Sequence, residues 1–372
     1  MIKIFHTGDN HLDSSFFRLA PSERERERAR QRELFSDMMG QVAEQGYDVV
    51  LIGGDLLDTP NVSPETETML IESFSRLRCP VVISPGNHDP YALTDLYSSD
   101  RLPENVYVFN SPELQVFDFD ELGFCVCGYA FMSDSYEDSP LASAEPFDKK
   151  KGIIKLFCAH GELGVSASKY APISESDIER LGFSYAALGH IHKKHEPKVI
   201  GRGLCAYCGF PEGRAFDEEG YGGALSVTID GESVSAEKII FAKRQYICDE
   251  LDVSGAEDDA ELAEKIRGYI LHKEDRGQTA LRLTLQGVVS AELTIDVSLY
   301  ETMFAPELLK LEIIDRTLPK FDVKSLENDF TLRGEVYRTL LPKLESEDKE
   351  ERKVAAEALK VALLAIEGRR II

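Results

Sequence analysis

The chain has 372 residues, of which 43% are hydrophobic and 29% charged. That is ordinary globular usage and excludes collagen-like, low-complexity and wholly disordered chains, while the length suggests two or three domains. Asp and Glu number 66 against 42 Lys and Arg, a formal net charge of −24, which argues against a protein that grips nucleic acid by surface charge alone.

Residues 241–372 carry 20 basic and 27 acidic side chains, so −17 of the net charge lies in residues 1–240. Clustered carboxylates serve solubility or bind divalent cations, and a bound dication inverts the local field that an anion meets. No segment reaches the ~18–20 apolar residues of a membrane span. Met1–His6 meets a polar run by residue 9 and lacks the apolar stretch of a signal peptide, so a cytoplasmic protein without a membrane partner is expected. The seven cysteines (79, 125, 127, 158, 205, 208 and 248) are an odd number. Four lie in apolar, strand-like stretches, which suits reduced thiols in a core. Cys205-Ala-Tyr-Cys208 is a lone C-x-x-C without a second pair, a weak signal for zinc or redox chemistry.

Taken in chain order, Ile2–Phe5, Val49–Ile52, Val81–Ile83, Ile153–Cys158 and Tyr185–Leu188 read as buried strands. Ser22 to Gln45 reads as a charged helix with Ser22 as its cap, and Ser63-Pro64 to Arg78 as a second helix. Strand, helix, strand, helix, strand is the βαβ pattern of a mostly parallel sheet. After Asn105 short strands alternate with turns, at Val106–Phe109, Leu114–Phe119, Phe124–Tyr129, Leu204–Cys208, Ala224–Ile229 and Glu237–Phe241, which predicts a second, more antiparallel sheet. Two sheets must bury their apolar faces on each other, so the expected class is α/β: a two-sheet β-sandwich flanked by helices. Asp249–Asp259 looks like a surface loop near the start of a smaller α+β domain, with Ala260–His272 as helix and Ala280–Leu285 and Leu309–Ile314 as strands. From about Phe321 the pattern is helical, with apolar residues at Val336, Leu340, Leu341 and Leu344 and again at Val354, Ala358, Val361, Ala362 and Ala365, separated by charged residues 345–352. These terminal helices can dock on their own domain or on a partner. The expected domains are 1–242, 243–318 and 319–372.

Five of the eight histidines fall directly after the apolar runs, beside Asp or Asn. Asp9-Asn10-His11 follows the first strand, Gly54-Asp55 the second, Gly86-Asn87-His88-Asp89 the third, His160-Gly161 the fourth and Gly189-His190-Ile191-His192 the fifth. Loops at strand carboxyl ends of open α/β sheets converge on one crevice, so these groups are expected to meet. Two carboxylates, an amide oxygen and four imidazoles, with a fifth imidazole left over, form a mixed N and O donor set. Such a set suits Mn²⁺, Fe²⁺ or Zn²⁺ rather than Mg²⁺ or Ca²⁺. Seven donors exceed the needs of one catalytic ion, whereas two ions ~3.5–4 Å apart that share a carboxylate use them all. Glycines before Asp55, Asn87 and His190 fit sharp turns and close approach of the backbone. Singly each residue is weak: His6 and His160 read as satisfied core histidines, His195 as exposed or supporting, His272 as an unremarkable helix residue, and Asp13 as a helix or turn cap.

Asp9-x-His11, Gly54-Asp55, Gly86-Asn87-His88-Asp89, His160 and Gly189-His190-x-His192, in that order, resemble the calcineurin-like metallophosphoesterases. The start His6-Thr7-Gly8-Asp9-Asn10-His11-Leu12-Asp13, the Gly-Asn-His-Asp block, the extra domains and Tyr207–Arg214 look like the SbcD-type DNA repair exonucleases, in particular a YhaO-like branch. The resemblance covers residues 1 to about 240 most strongly and implies the metallophosphoesterase fold with an α+β capping domain and a helical tail. It implies two divalent cations, with Mn²⁺ first and Fe²⁺ or Zn²⁺ as alternatives. Asp9, His11 and His192 would hold one ion and Asn87, His160 and His190 the other, with Asp55 between. His88 would sit over the scissile phosphate, Asp89 would orient it, and a hydroxide between the ions would be the nucleophile.

Two positions depart from the family pattern. Asp58 stands where some members have His, three residues after the bridging Asp, and Asn10 replaces a Trp, of which the chain has none. Arg24, Arg26, Arg28, Arg30 and Arg32 alternate with Glu23, Glu25, Glu27 and Glu33, which reads as a solvated helix laced with ion pairs or as a phosphate-backbone contact. The expected function is a metal-dependent DNA phosphodiesterase, an exonuclease and possible endonuclease of DNA repair. The alternative is a phosphoesterase for a small substrate such as a cyclic nucleotide or nucleotide pyrophosphate. The acidic surface hints at a partner that supplies the grip on DNA. The resemblance implies an SMC-like (SbcC-like) ATPase docking on the carboxyl-terminal helices, and a homodimer.

Overall fold

The computed structural model describes residues 1–147, 149, 152–193, 196–290, 292–320 and 326–366. His195 and residues 321–325 lie outside these. The chain divides into two compact units, Met1–Gln245 and Tyr246–Ile372.

In the first unit β1 (Ile2–Thr7), α1 (Pro21–Gln45), β2 (Val49–Ile52), α2 (Pro64–Ser75), β3 (Val81–Ile83), the single turn α3 (Asp95–Ser98) and β4 (Val106–Val108) follow one another. Next come β5 (Gln115–Phe119), β6 (Phe124–Gly128), β7 (Ile154–His160), the short pair β8 (Glu162–Leu163) and β9 (Pro172–Ile173), α4 (Glu175–Leu181), β10 (Tyr185–Gly189), β11 (Lys198–Ile200) and β12 (Gly203–Tyr207). The hairpin β13 (Gly223–Asp230) and β14 (Ser233–Ile240) closes the sequence.

Two six-stranded sheets result, ordered β14-β13-β1-β2-β3-β4 and β11-β12-β10-β7-β6-β5. Every strand that carries a motif is parallel to its neighbours on the motif side: β1 to β2, β2 to β3, β7 to β10. The period of two sorts each strand between layers. Ile4, Val49, Leu51 and Val82 face Phe124, Val126, Leu156, Cys158, Tyr185 and Ala187 in the core between the sheets. Phe5, Val50, Ile52, Val81 and Ile83 face Leu34, Phe35, Met38 and Val42 of α1 and Leu70 and Phe74 of α2. On the other flank Cys125, Cys127, Phe157, Ala186 and Leu188 pack against Ile178 and Leu181 of α4. The layers are those of a helix-flanked sandwich.

The sheets differ from expectation in membership. The second is parallel at its centre and antiparallel only where β5 and β11 close its edges. β4 extends the first sheet beside β3, and the β13–β14 hairpin, turning at Gly231 (φ 61°), joins that sheet beside β1. Short strands buried on both faces read as unbroken apolar runs, which carry no information about the partner strand.

Helix α1 also starts one residue before the expected cap. Pro21 occupies the first helical position, where its missing N–H costs nothing, so Ala20 rather than Ser22 is the capping residue, and Ala20 N–H donates to Glu23 Oε2 at 3.1 Å. Ser63 does cap α2, accepting from Thr66 N–H at 3.2 Å. Asp13 braces it, accepting from Ser63 N–H at 2.7 Å and from the Thr66 hydroxyl at 2.7 Å.

In the second unit β15 (Gln245–Asp252), α5 (Asp259–Leu271), β16 (Thr279–Val289), α6 (Val297–Phe304) and β17 (Lys310–Pro319) build a three-stranded sheet ordered β15-β16-β17 with helices over Leu281, Leu283 and Leu285. The stretch read as a loop is half strand: β15 runs to Asp252, and Asp258 caps α5 by accepting from Glu261 N–H. Helices α7 (Leu332–Leu344) and α8 (Lys349–Ile366) cover each other through Tyr337, Leu359 and Leu363.

The two sheets of the first unit come into backbone contact at Gly53 and Gly189. A Cβ on Gly189 would lie 2.1 Å from Gly53 O, and one on Gly53 2.8 Å from Gly189 N. Gly189→Ala is therefore expected to lower unfolding stability by ~1–3 kcal/mol. Gly40→Ala, inside α1 with open space around the new carbon, is expected to raise it by ~0.5–1 kcal/mol. Urea denaturation of both variants checks the pair.

Candidate metal centre

The carboxyl ends of β1, β2, β3, β7 and β10 deliver Asp9, His11, Asp55, Asn87, His88, His160, His190 and His192 to one place, as parallel strands in each of two facing sheets require. The backbone is bent to do so. Asp9 (φ 47°), His11 (φ 44°), Asp55 (φ 47°) and His190 (φ 96°) all lie in the left-handed region, a cost of order 1–3 kcal/mol each that persists only where the surroundings enforce it. Gly54 (φ 93°) packs so tightly that a Cβ there would stand 2.3 Å from His160 Nδ1.

Each of four imidazoles spends one nitrogen on an acceptor. His160 Nδ1 faces Gly53 O at 3.0 Å, His11 Nδ1 faces Asp58 Oδ1 at 2.8 Å, His192 Nδ1 faces Glu218 Oε1 at 2.8 Å and His190 Nε2 faces Glu162 Oε1 at 3.4 Å. An acceptor facing each of these nitrogens calls for the proton there, which in a neutral ring leaves a lone pair on the other.

The other nitrogens converge. His160 Nε2 lies 3.2 Å from His190 Nδ1, 3.0 Å from Asn87 Oδ1 and 3.4 Å from Asp55 Oδ2. His11 Nε2 lies 3.2 Å from His192 Nε2 and 3.7 Å from Asp55 Oδ2, while His192 Nε2 lies 3.7 Å from Asp9 Oδ1. Asp9, His11 and His192 form one group able to hold an ion, and Asp9, Asp55 and His160 another. Acceptors facing acceptors repel unless a cation or a proton lies between them, so the donor set fits divalent ions.

Electrostatics reinforce the point. Burial pushes Asp55 up to about 7, with the Asp9 charge adding to it, and holds His190 down to about 4 and His160 and His11 below the usual range. His192 goes the other way: burial opposes its charge, but the Asp9 and Glu218 carboxylates overrule it and push it up to about 10. Asp9 itself is held below the usual carboxylate range despite burial, chiefly by His192.

Asp89, expected to orient His88, is engaged elsewhere. It is fully buried, but its oxygens accept from Gly86 N–H at 2.7 Å, Leu57 N–H at 3.0 Å and the Tyr97 hydroxyl at 2.5 Å, not from the His88 ring. It clamps the loop that carries Asn87 and His88. The carboxylate beside His88 is Asp58, whose Oδ1 stands 3.6 Å from His88 Nδ1. His88 N–H donates to Asp55 Oδ1 at 2.9 Å, and its side chain is 44% exposed.

Glu162, Arg214 and Glu218 join the site without having been expected there. Arg214 closes on Glu218 with Nη2 to Oε1 at 2.6 Å and backbone N–H to Oε2 at 2.7 Å. Glu218 is 2% exposed and lies 26 residues from the histidine it holds, with no motif of its own. The available signal is the rule that a ligating histidine anchors its second nitrogen on a carboxylate or carbonyl. The arginines of α1 divide: Arg24 and Arg28 donate to Leu19 O and Ser14 O, and Arg32 pairs with Glu25 at 2.7 Å. Groups able to hold a metal, among the described residues, contain no cysteine, and no disulfide joins the described cysteines.

Residues 2–194 match the calcineurin-like phosphoesterases. The chain belongs to this family. It is thus a phosphoesterase, a hydrolase of phosphate esters. Over 308 residues it is 28% identical to the uncharacterized metallophosphoesterase YhaO of Bacillus subtilis, covering 77% of this chain and 72% of that protein. It is 24% identical over 261 residues to the DNA double-strand break repair protein Mre11 of Sulfurisphaera tokodaii, covering 66% and 64%. The SbcD polypeptide of the SbcCD nuclease of Bacillus subtilis is 23% identical over 287 residues, covering 65% and 70%. No helix among the described residues is long and apolar enough to cross a membrane.

An ion between His11 and His192 must displace the proton that His192 holds below about pH 10, and one beside Asp55 must displace the proton it holds below about pH 7. Both signs agree: lowering the pH favours the protonated side chains over the bound metal. Mn²⁺ binding to this phosphoesterase at pH 7 is expected to release at least about one proton per chain, and to weaken from pH 8 to pH 6. Calorimetry in buffers of different ionisation enthalpy reads the proton count directly.

Proposed function

We propose that this phosphoesterase is a two-metal nuclease that hydrolyses phosphodiester bonds of DNA in repair, as an exonuclease with possible endonuclease action. The observation that carries the reading is the convergence of the inward ring nitrogens of His11, His160, His190 and His192 with Asn87 Oδ1 and the Asp9 and Asp55 carboxylates. Asp9, His11 and His192 would hold one divalent ion, Asn87, His160 and His190 the other, with Asp55 between them. Mn²⁺ comes first for this mixed nitrogen and oxygen set, ahead of Fe²⁺ or Zn²⁺. Such ions supply charge for the phosphoryl oxygens and lower the pKa of water.

His88 does the proton work. Its half-exposed ring, backed at Nδ1 by Asp58, can present Nε2–H to the leaving oxygen as the ester bond breaks. Asp89 keeps the loop beneath it rigid. His88→Ala is expected to retain two Mn²⁺ per chain while turnover falls ~10²–10⁴-fold, and Asp55→Ala to lose both ions. Metal analysis beside kinetics checks the division: an emptied site in His88→Ala would make His88 a ligand.

DNA as substrate is supported by the Mre11 and SbcCD relatives and by chain beyond the phosphoesterase unit. The net charge of −24 favours a second reading, a small phosphate ester that needs no basic platform. Mn²⁺-dependent turnover of linear duplex and single-stranded DNA is expected to exceed turnover of cyclic nucleotides, nucleotide pyrophosphates and phosphomonoesters. The reverse order would establish the small-substrate reading.

The same charge supports a partner that grips DNA. We assign that role to an SMC-like ATPase docking on residues 319–372, with residues 243–318 as a capping domain, in a cytoplasmic homodimer. Truncation near residue 320 is expected to abolish co-purification of the ATPase, and an undiminished complex would defeat this assignment.

A further inference from the structure

One guanidinium stands behind half of the proposed site. Arg214 Nη2 lies 2.6 Å from Glu218 Oε1, while Nη1 lies 3.4 Å from Asp58 Oδ1 and donates to Ser14 Oγ at 3.1 Å. Each of the two carboxylates then holds a histidine: Glu218 holds His192 at 2.8 Å and Asp58 holds His11 at 2.8 Å. Those two rings place their Nε2 atoms 3.2 Å apart. The other proposed ligands have separate anchors, Gly53 O for His160 and Glu162 for His190. Neither of these anchors runs through Arg214.

We infer that Arg214 is a positioning residue for one of the two metal sites only, a brace that fixes His11 and His192 through Asp58 and Glu218. The inference rests on the two-metal reading above. Glu218 is 2% exposed and Asp58 is 19% exposed at the side chain, so neither can shed its charge into bulk water. With the guanidinium present, each carboxylate has a fixed cation on one side and an N–H on the other, and the ring nitrogen that faces inward has one available direction. Without the side chain, Glu218 keeps only the Arg214 backbone N–H beside His192 and Asp58 loses its nearby cation, so the two carboxylates lean harder on the imidazoles and the rings turn toward them. Only a planar, multi-pronged cation reaches both carboxylates from one side chain, which a lysine ammonium does not. The branch through Asp58 also ends 3.6 Å from His88 Nδ1, so the same brace backs the proton donor.

The experiment is a Mn²⁺ titration of the full chain by calorimetry and by electron paramagnetic resonance, for wild type, Arg214→Gln and Arg214→Lys, with thermal unfolding as the check on folding. Wild type is expected to bind two ions. Arg214→Gln is expected to bind one with unchanged affinity and the other ~10–100-fold more weakly, the usual effect of losing a partner of a metal-bound histidine. The Mn²⁺ concentration for half-maximal turnover is expected to rise by the same factor, and Arg214→Lys to recover part of the loss. Two sites of unchanged affinity, or equal weakening of both with a collapsed unfolding temperature, would overturn the brace and leave the two-metal reading standing. A wild-type chain that binds no Mn²⁺ would overturn both.

Discussion

A neutral imidazole whose outer nitrogen is committed to a carbonyl or carboxylate has only a lone pair to offer inward. In this protein four rings anchored in this way turn their inner nitrogens on one another at 3.2 Å in two pairs, with an amide oxygen and two carboxylates alongside. Burial holds His11, His160 and His190 below the usual range, while His192 keeps a proton between Asp9 and Glu218 and Asp55 is pushed up to about 7. A polypeptide does not bring so many acceptors together without something positive to share among them.

The fold accommodates this in a specific way. Parallel strands of two facing sheets end at the same level, and the sheets close to contact at Gly53 and Gly189, where no side chain fits. His190 N–H crosses from the second sheet to the Asp9 carboxylate at 2.9 Å, and His160 reaches back to Gly53 O. Donors from both sheets therefore share one small volume, and the left-handed backbone at Asp9, His11, Asp55 and His190 is the local strain that the surrounding hydrogen bonds hold in place. The core between the sheets stabilises the whole; the site draws on that stability.

Much of this is legible in the amino-acid order, for a physical reason. A motif at the end of an apolar run declares both its chemistry and its position at a strand terminus, so Asp9, Asp55, Asn87, His160 and His190 can be gathered from the sequence alone. Sheet membership is not legible: Val227 and Ile229 of β13 are as apolar as the strands of either sheet, and only register with Ile4 and Ile2 settles where they lie. Partners of the proposed ligands are hidden too. Asp58 and Glu218 are acidic residues among 66, and what distinguishes them is the ring each one touches. Asp89 misleads because it adjoins His88 in sequence, whereas its carboxylate points down into the loop backbone.

The acidic surface and the metal-ready interior belong to one account, in which positive charge is concentrated where the ester is cut rather than spread over the exterior. The measurement closest to its centre is the electron paramagnetic resonance spectrum of the chain loaded with two equivalents of Mn²⁺. If two ions bind with Asp55 between them, as proposed, the spectrum is the dense multiline signal of a spin-coupled pair. A plain six-line spectrum of isolated ions, or Mn²⁺ that stays free in solution, would contradict it.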